Sequence, residues 1–183
     1  MTFKETELPG VLLITPKVFK DSRGAFFESY HFGKYAEIGI NLEFVQDNVS
    51  VSTANVIRGL HYQFPNPQAK LVQAISGSVY DVAVDLRAGS PHFGKWVGRV
   101  LSDENRCQLF IPEGFAHGFA VIGDHAILSY KCSTPFEASG DAAVRWNDPE
   151  IGVEWPFKEP ILSEKDLNAK FLGEISWENL SQY

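Results

Sequence analysis

Cysteine is scarce in this chain: Cys107 and Cys132 are the only two in 183 residues, and they form no CxxC pair. Two thiols so spaced make neither a disulfide framework nor a thiolate metal site, and a reducing, cytoplasmic setting is expected. Long apolar runs are missing as well. No stretch approaches the roughly 20 apolar residues of a membrane span, and the opening MTFKETELPGVLLITPKVF carries no cleavage pattern, so a soluble, unexported protein without a membrane partner is expected. Nor is there a surplus of positive charge. Sixteen basic residues against 23 acidic ones give a net charge of -7, which works against general attraction to nucleic acid, and no such partner is expected. An anionic ligand must therefore be caught by a few well-placed cations. Helical signals are confined to Phe32–Ile38 and to SEKDLNAKF, where Ser163 and Asp166 have the spacing of an N-cap and its N3 residue. Repeats, low-complexity tracts and linker compositions are absent, so residues 1–183 are expected to form one domain, with 160–183 as a packing helix and tail.

What the chain has is aromatic residues (13%), 15 Gly and 10 Pro spread along its length, and apolar residues that alternate with others over short runs. This is the pattern of an all-β fold. In SVYDVAVDL, Val79, Asp81, Ala83 and Asp85 share one face, and Tyr80, Val82, Val84 and Leu86 the other. One of the two is expected to be core. Further strands are expected at Gly94–Leu101, Cys107–Ile111, Phe115–Val121 and Ala126–Cys132, divided by turn signals such as AGSP, SDEN, PEG and IGDH. Short, regularly spaced strands suit a barrel or jelly roll, which also limits exposed sheet edges. WNDPEIGVEWPFKEP reads as a packed extended tail.

The chemistry-bearing residues begin in VIRGLHYQ. Arg58 and His61 have opposite parity in a regular strand, so both enter one pocket only if Gly59 permits a bulge or a close backbone approach; otherwise Arg58 is a solvated surface charge. His117 lies on an apolar face with Phe115, Phe119 and Val121, where a satisfied core histidine is the ordinary reading. Pro112, Gly114 and His117 resemble the PxGxxH of the second cupin motif. A metal-binding cupin, however, also carries an HxH pair, a following Glu and a later Asn, where this chain has His61-Tyr62-Gln63, Gln68 and Val121. Two histidines without a third imidazole or an acid make a poor zinc or iron site, so neither metal nor cofactor is expected. Lys70 and Tyr130 project from otherwise apolar strand faces. With His61 they supply a base, a cation for a developing oxyanion and a hydroxyl acid, the parts needed for proton exchange beside a carbonyl. Asp166 serves first as a helix-start residue. It orients His61 only if the C-terminal segment folds back onto it.

Taken together, DSRGAFFE, FVQDNVS, VIRGLHYQ, QAKLV, VYDVAVDLR, SPHFGKWVG, LFIPEGFAHGF, LSYKC, RWNDPEIGVEWP and PILSEKD, in this order from about Pro9 to Asp166, resemble the dTDP-4-dehydrorhamnose 3,5-epimerases, metal-independent members of the cupin-like jelly rolls. The resemblance implies a cupin-like jelly-roll barrel and a nucleotide-sugar substrate, dTDP-4-dehydro-6-deoxy-D-glucose, whose C4 ketone acidifies the C3 and C5 protons. It implies His61 as base, Asp166 as its partner, Lys70 as stabiliser of charge on O4, and Tyr130 as acid at C5. Arg23, Glu28, Gln46, Asp47, Asn48, Arg58, His117, Asp141 and Lys165 are the implied substrate-binding residues. The resemblance also implies a homodimer, with Arg23 and Glu28 offered across its interface. Many members carry a histidine and a basic residue where this chain has Val49 and Val51, and a glutamate in place of Asp141. The alternatives are a relative that inverts C3 or C5 only, a metal-dependent cupin enzyme, and a sugar-nucleotide binder without turnover. Exchange of substrate protons in deuterated water, metal content and calorimetric binding separate them.

Overall fold

Alternation along the chain resolves into eleven strands: β1 (Thr2–Glu5), β2 (Leu12–Thr15), β3 (Val18–Asp21), β4 (Gly24–Phe27), β5 (Gln46–Thr53), β6 (Ile57–Gln63), β7 (Lys70–Asp85), β8 (Trp96–Ser102), β9 (Gln108–Ile111), β10 (Phe115–Cys132) and β11 (Asp141–Ala143). Two short helices, α1 (Phe32–Ala36) and α2 (Glu164–Leu167), and two 3-10 turns complete a computed structural model that describes residues 1–183. No helix is long and apolar enough to cross a membrane.

The long strands β7 and β10 pair antiparallel from Lys70 opposite Cys132 to Asp85 opposite Phe115. Each is shared by two groups of neighbours. The first half of β7 pairs with β9, and the second half with β8. The first half of β10 pairs with β6, and the second half with β5. The order β1-β2-β9-β7-β10-β6-β11, with β5 and β8 attached to β10 and β7, thus folds one sheet into two layers that share their longest strands. This is the expected all-β, cupin-like jelly roll. Between the layers lie Val72, Ala74, Leu109, Phe115, Phe119 and Leu128, all buried. A second cluster, including Val82, Val84, Leu86 and Leu180, packs the opposite face of β7 under the C-terminal segment.

The core face expected in SVYDVAVDL is present together with a second one, and the expected division of Phe115–Cys132 into two strands is corrected. SVYDVAVDL has no solvent face: Val79 and Ala83 belong to the inner cluster, and Val82 and Val84 to the other. A strand covered on both sides shows no clean apolar-polar alternation. Phe115–Val121 and Ala126–Cys132 are one strand, because the IGDH signal is a bulge and not a turn. Register jumps from Ile122 opposite Ser78 to Ala126 opposite Gly77. A Cβ on Gly77, whose φ is +74°, would lie 2.1 Å from the His125 carbonyl oxygen, so this approach requires glycine.

After β11 the tail is packed by capping bonds rather than by regular structure. The buried carboxylate of Asp148 accepts from the backbone N–H groups of Glu150, Ile151 and Leu172. A parallel bridge between Ile161 and Val56 then lays the chain alongside β6. The cap inferred at Ser163 is present, its Oγ accepting from the Asp166 N–H at 3.1 Å. That turn delivers Asp166 to the inner end of β6.

Candidate active site

The inward row of β6 and the inner faces of β7 and β10 converge on two adjoining cavities, of about 400 Å³ and about 140 Å³. His61, Lys70 and Tyr130 line both. The strand parity inferred for Lys70 (with Val72 and Ala74) and Tyr130 (with Ala126 and Leu128) holds, since those apolar neighbours are all inner-core residues.

Gly59 has the role assigned to it. Opposite β10, Arg58 pairs with Phe119 and His61 with His117, three steps against two. The extra residue turns both side chains to one wall, where each lines the smaller cavity. At Gly59 φ is +111°, and a Cβ there would sit 2.6 Å from both the Gly118 Cα and the His117 carbonyl oxygen. Only glycine fits between these strands. Arg58 is further fixed by Nε donating to Ser52 Oγ at 3.0 Å and by one terminal nitrogen donating to the Val51 carbonyl.

His61 Nε2 lies 2.5 Å from Asp166 Oδ1. The carboxylate can only accept, so Nε2 carries the proton and Nδ1 is left as the basic nitrogen. Asp166 is 2% exposed and the imidazole 33%, so the acid is enclosed and the base open to the cavity. Burial pushes the Asp166 carboxyl upward. The hydrogen bond and charge of His61, the Ser163 hydroxyl and the Gly59 N–H together outweigh this and leave it below its ordinary value. An ionised partner beside the base is the result.

Lys70 forms none of the chain's ion pairs. Burial lowers its pKa, opposed by the charges of Cys132, Asp141 and Asp81. Tyr130 is shifted the other way, chiefly by burial, with Arg58 opposing. A desolvated lysine and a phenol held away from ionisation thus face a histidine base, an arrangement able to remove a proton beside a carbonyl, meet the resulting oxyanion and return a proton from another side.

Of the other residues singled out from sequence, Gln46, Asn48, Asp141 and Lys165 line the larger cavity, and Arg58 and His117 the smaller. Lys165 Nζ donates to Asp141 Oδ2 at 2.5 Å, so the two close one side of the larger cavity as an ion pair. Asp47 is not among them. Alternation along β5 turns it outward, where it pairs with Lys131 at 2.9 Å. Arg23 and Glu28 also lie outside both cavities of this chain. They belong to the exposed hairpin β3–β4 and its exit, paired with Asp21 and Lys34. Val49 and Val51 likewise face outward, each 67% exposed, away from the pocket.

Several lining residues escaped sequence reasoning. Ser50 is one: it sits in the inward row of β5, and its hydroxyl is buried without a partner. Phe136 and Cys132 line the larger cavity. Gln63 is a loop staple, donating to the Asn66 and Pro135 carbonyls and accepting from the Glu137 N–H. Asp81 lies behind His117, 2.9 Å from its Nε2. Its signal was a charged residue at core parity in SVYDVAVDL, directly opposite Phe119. No three His, Cys, Asp or Glu side chains come together as a metal-ligand set.

The chain is similar to known proteins along nearly its whole length. A protein from Shigella flexneri, a dTDP-4-dehydrorhamnose 3,5-epimerase, is 51% identical over 172 residues, covering 93% of this chain and 95% of its own. The crystal structure of the dTDP-6-deoxy-D-glucose-3,5-epimerase from Legionella pneumophila, in complex with dTDP-4-keto-L-rhamnose, is 44% identical. It superposes with a TM-score of 0.97, covering 100% of this chain and 98% of that one. A 3′-monoepimerase from Streptomyces bikiniensis, in complex with dTDP-quinovose, shares the fold at 31% identity and a TM-score of 0.86, covering 92% of this chain and 86% of its own. The family model for dTDP-4-dehydrorhamnose 3,5-epimerase matches residues 5–174, and with nearly the whole chain aligned at such identity, this protein belongs to that epimerase family.

Proposed function

We propose that the protein inverts C3 and C5 of dTDP-4-dehydro-6-deoxy-D-glucose to give dTDP-4-dehydro-L-rhamnose, a step in dTDP-rhamnose biosynthesis, by proton abstraction next to the C4 ketone. The observation that carries this reading is the His61–Asp166 pair opening onto a cavity that also holds Lys70 and Tyr130. In the proposed reaction, His61 Nδ1 takes the α-proton while Asp166 keeps Nε2 protonated and faces the imidazolium. Electron density moves to O4 as the C–H bond breaks, and the Lys70 ammonium meets the growing charge. The phenol of Tyr130 then delivers a proton to C5 from the other face of the ring.

An unactivated α-proton is a far weaker acid than imidazolium, so stabilising the enolate must supply much of the rate. Loss of one well-placed oxyanion partner commonly costs about 10²- to 10³-fold. Desolvation of Lys70 strengthens its pull on O4, because charges interact more strongly away from water. For binding, the forked guanidinium of Arg58 suits the diphosphate, and Gln46, Asn48, Asp141 and Lys165 suit the nucleotide and sugar. The outward positions of Arg23 and Glu28 suit a homodimer in which each hairpin completes the partner's site. Such an assembly would act in the cytoplasm without metal or cofactor.

The decisive experiment is incubation with the 4-keto sugar nucleotide in deuterated water, followed by NMR. Deuterium at both C3 and C5, with conversion to the rhamno configuration, is expected. Exchange at one carbon only would refute double inversion, and no exchange would refute the epimerase reading.

A further inference from the structure

Two inversions by one base require that the base be emptied in between. After the first, His61 Nδ1 holds the proton taken from carbon, and an imidazolium cannot abstract a second one. Its discharge must occur while the sugar covers the cavity.

A second histidine–carboxylate pair stands beside it. His117 is the direct register partner of His61 across β6 and β10, and both line the smaller cavity. Directly opposed residues on antiparallel strands have Cβ atoms about 4.5–5.5 Å apart, close enough for their side chains to exchange a proton directly or through one solvent molecule. His117 Nε2 lies 2.9 Å from Asp81 Oδ2. The carboxylate accepts, so Nε2 holds the proton, and Nδ1, which has no protein partner, is free to take one.

Asp81 supplies the reason for the proton to move. It is 0% exposed, its only ion-pair partner is His117, and its Oδ1 accepts no hydrogen bond. With His117 neutral, this buried carboxylate has a single hydrogen bond and no charged group in direct contact, an arrangement that is disfavoured in protein interiors. A proton arriving at His117 converts it into a pair. The groups facing His117 are Arg58 and His61 from β6, Lys70 from β7 and Tyr130 from β10. Positive charge on Arg58 and Lys70 resists more of it on that wall, and Asp81 behind it offsets them.

We propose that His117 takes the proton from His61 between the two inversions, with Asp81 as its positioning residue. This rests on the double epimerisation proposed above and adds how one base serves twice. The N–H bond at His61 Nδ1 breaks as one forms at His117 Nδ1, and no electrons change hands. C3 takes its new proton from solvent on the face away from His61, and once product leaves, Tyr130 regains its proton from solvent while His61 and His117 return theirs.

The test is Asp81→Asn, assayed in a single turnover with the 4-keto sugar nucleotide in deuterated water. The second carbon to exchange is expected to slow by about 10²-fold relative to the first, the range of lost acid–base assistance, with a singly inverted product released. Equal slowing at both carbons would overturn the relay in favour of simple pocket shaping. An unchanged ratio would show that solvent empties His61 and would equally overturn it. Melting temperature and dTDP affinity establish that the variant is folded. Should it not fold, spectra of the wild-type protein carrying ¹⁵N-histidine, with dTDP bound, decide instead: the Nε2–H tautomer is expected for His117, and the neutral Nδ1–H tautomer would rule the relay out. Failure of wild-type double exchange would remove the epimerase reading itself, whereas intact double exchange with an unaltered Asp81→Asn ratio removes only the relay.

Discussion

Replacing Gly59 by alanine tests whether the β6 bulge is what assembles the site. The new methyl group would stand 2.6 Å from both the Gly118 Cα and the His117 carbonyl oxygen, backbone atoms that cannot swing aside as a side-chain end would. Relief requires β6 and β10 to separate by nearly an ångström at the point where Arg58 and His61 are aimed. A φ of +111° adds about 1–2 kcal/mol for a residue with a Cβ, and overpacking adds typically about 1–3 kcal/mol, for a loss of roughly 2–5 kcal/mol. At about 2–4 °C per kcal/mol for a chain of this size, the melting temperature should fall by roughly 4–20 °C. Activity should suffer independently, since a displacement of about 1 Å in a catalytic group can cost about 10²-fold. Thermal unfolding and proton exchange in deuterated water, measured on the same preparation well below the new midpoint, separate the two effects. A melting temperature unchanged within about 1 °C, together with wild-type exchange at both carbons, would refute the claim that this close approach aims Arg58 and His61.

Asp166→Asn keeps the shape but offers an amide where the imidazolium needs a carboxylate. Exchange at both carbons should fall by about 10²- to 10⁴-fold, and a loss under about tenfold would show that the pair is only structural. Lys70 acts as an ammonium and burial lowers its pKa, so kcat/KM should decline on the alkaline side at a pH below the ordinary lysine range. Tyr130, shifted upward, stays protonated through that decline. In Lys70→Arg the guanidinium keeps its charge, and whatever activity remains should lose that alkaline limb; an identical limb would assign it to another group. Tyr130→Phe should impair inversion at C5 more than exchange at C3, and equal impairment, read by NMR, would argue against a phenol donor specific to C5.

The parts of the site visible in sequence were those expressed as local pattern. Parity placed Lys70 with Val72 and Ala74, and Tyr130 with Ala126 and Leu128. The spacing of Ser163 and Asp166 marked a helix cap. Parity also marked Gly59 as the point where a regular strand had to be broken for Arg58 and His61 to share a wall. The role implied for Asp47 ran against that same parity. Asp47 sits in the same quoted piece as Gln46 and Asn48, yet β5 turns it to the opposite face, because successive side chains of a strand point apart. The turn signal IGDH failed for a related reason: Gly123 can serve a bulge as well as a turn, and pairing of β10 with a continuous β7 decided between them.

From sequence alone, composition and alternation determined an all-β chain with few helices, and the ordered motifs determined the epimerase family. Local chemistry determined which side chains could act as base, cation and acid. Only the tertiary structure decided that Asp166, 105 residues from His61, closes on it. Only the tertiary structure hid Asp81 behind His117. Both contacts join segments distant in the chain, and their energies depend on burial and on the absence of competing water, quantities that exist only once the two layers have packed.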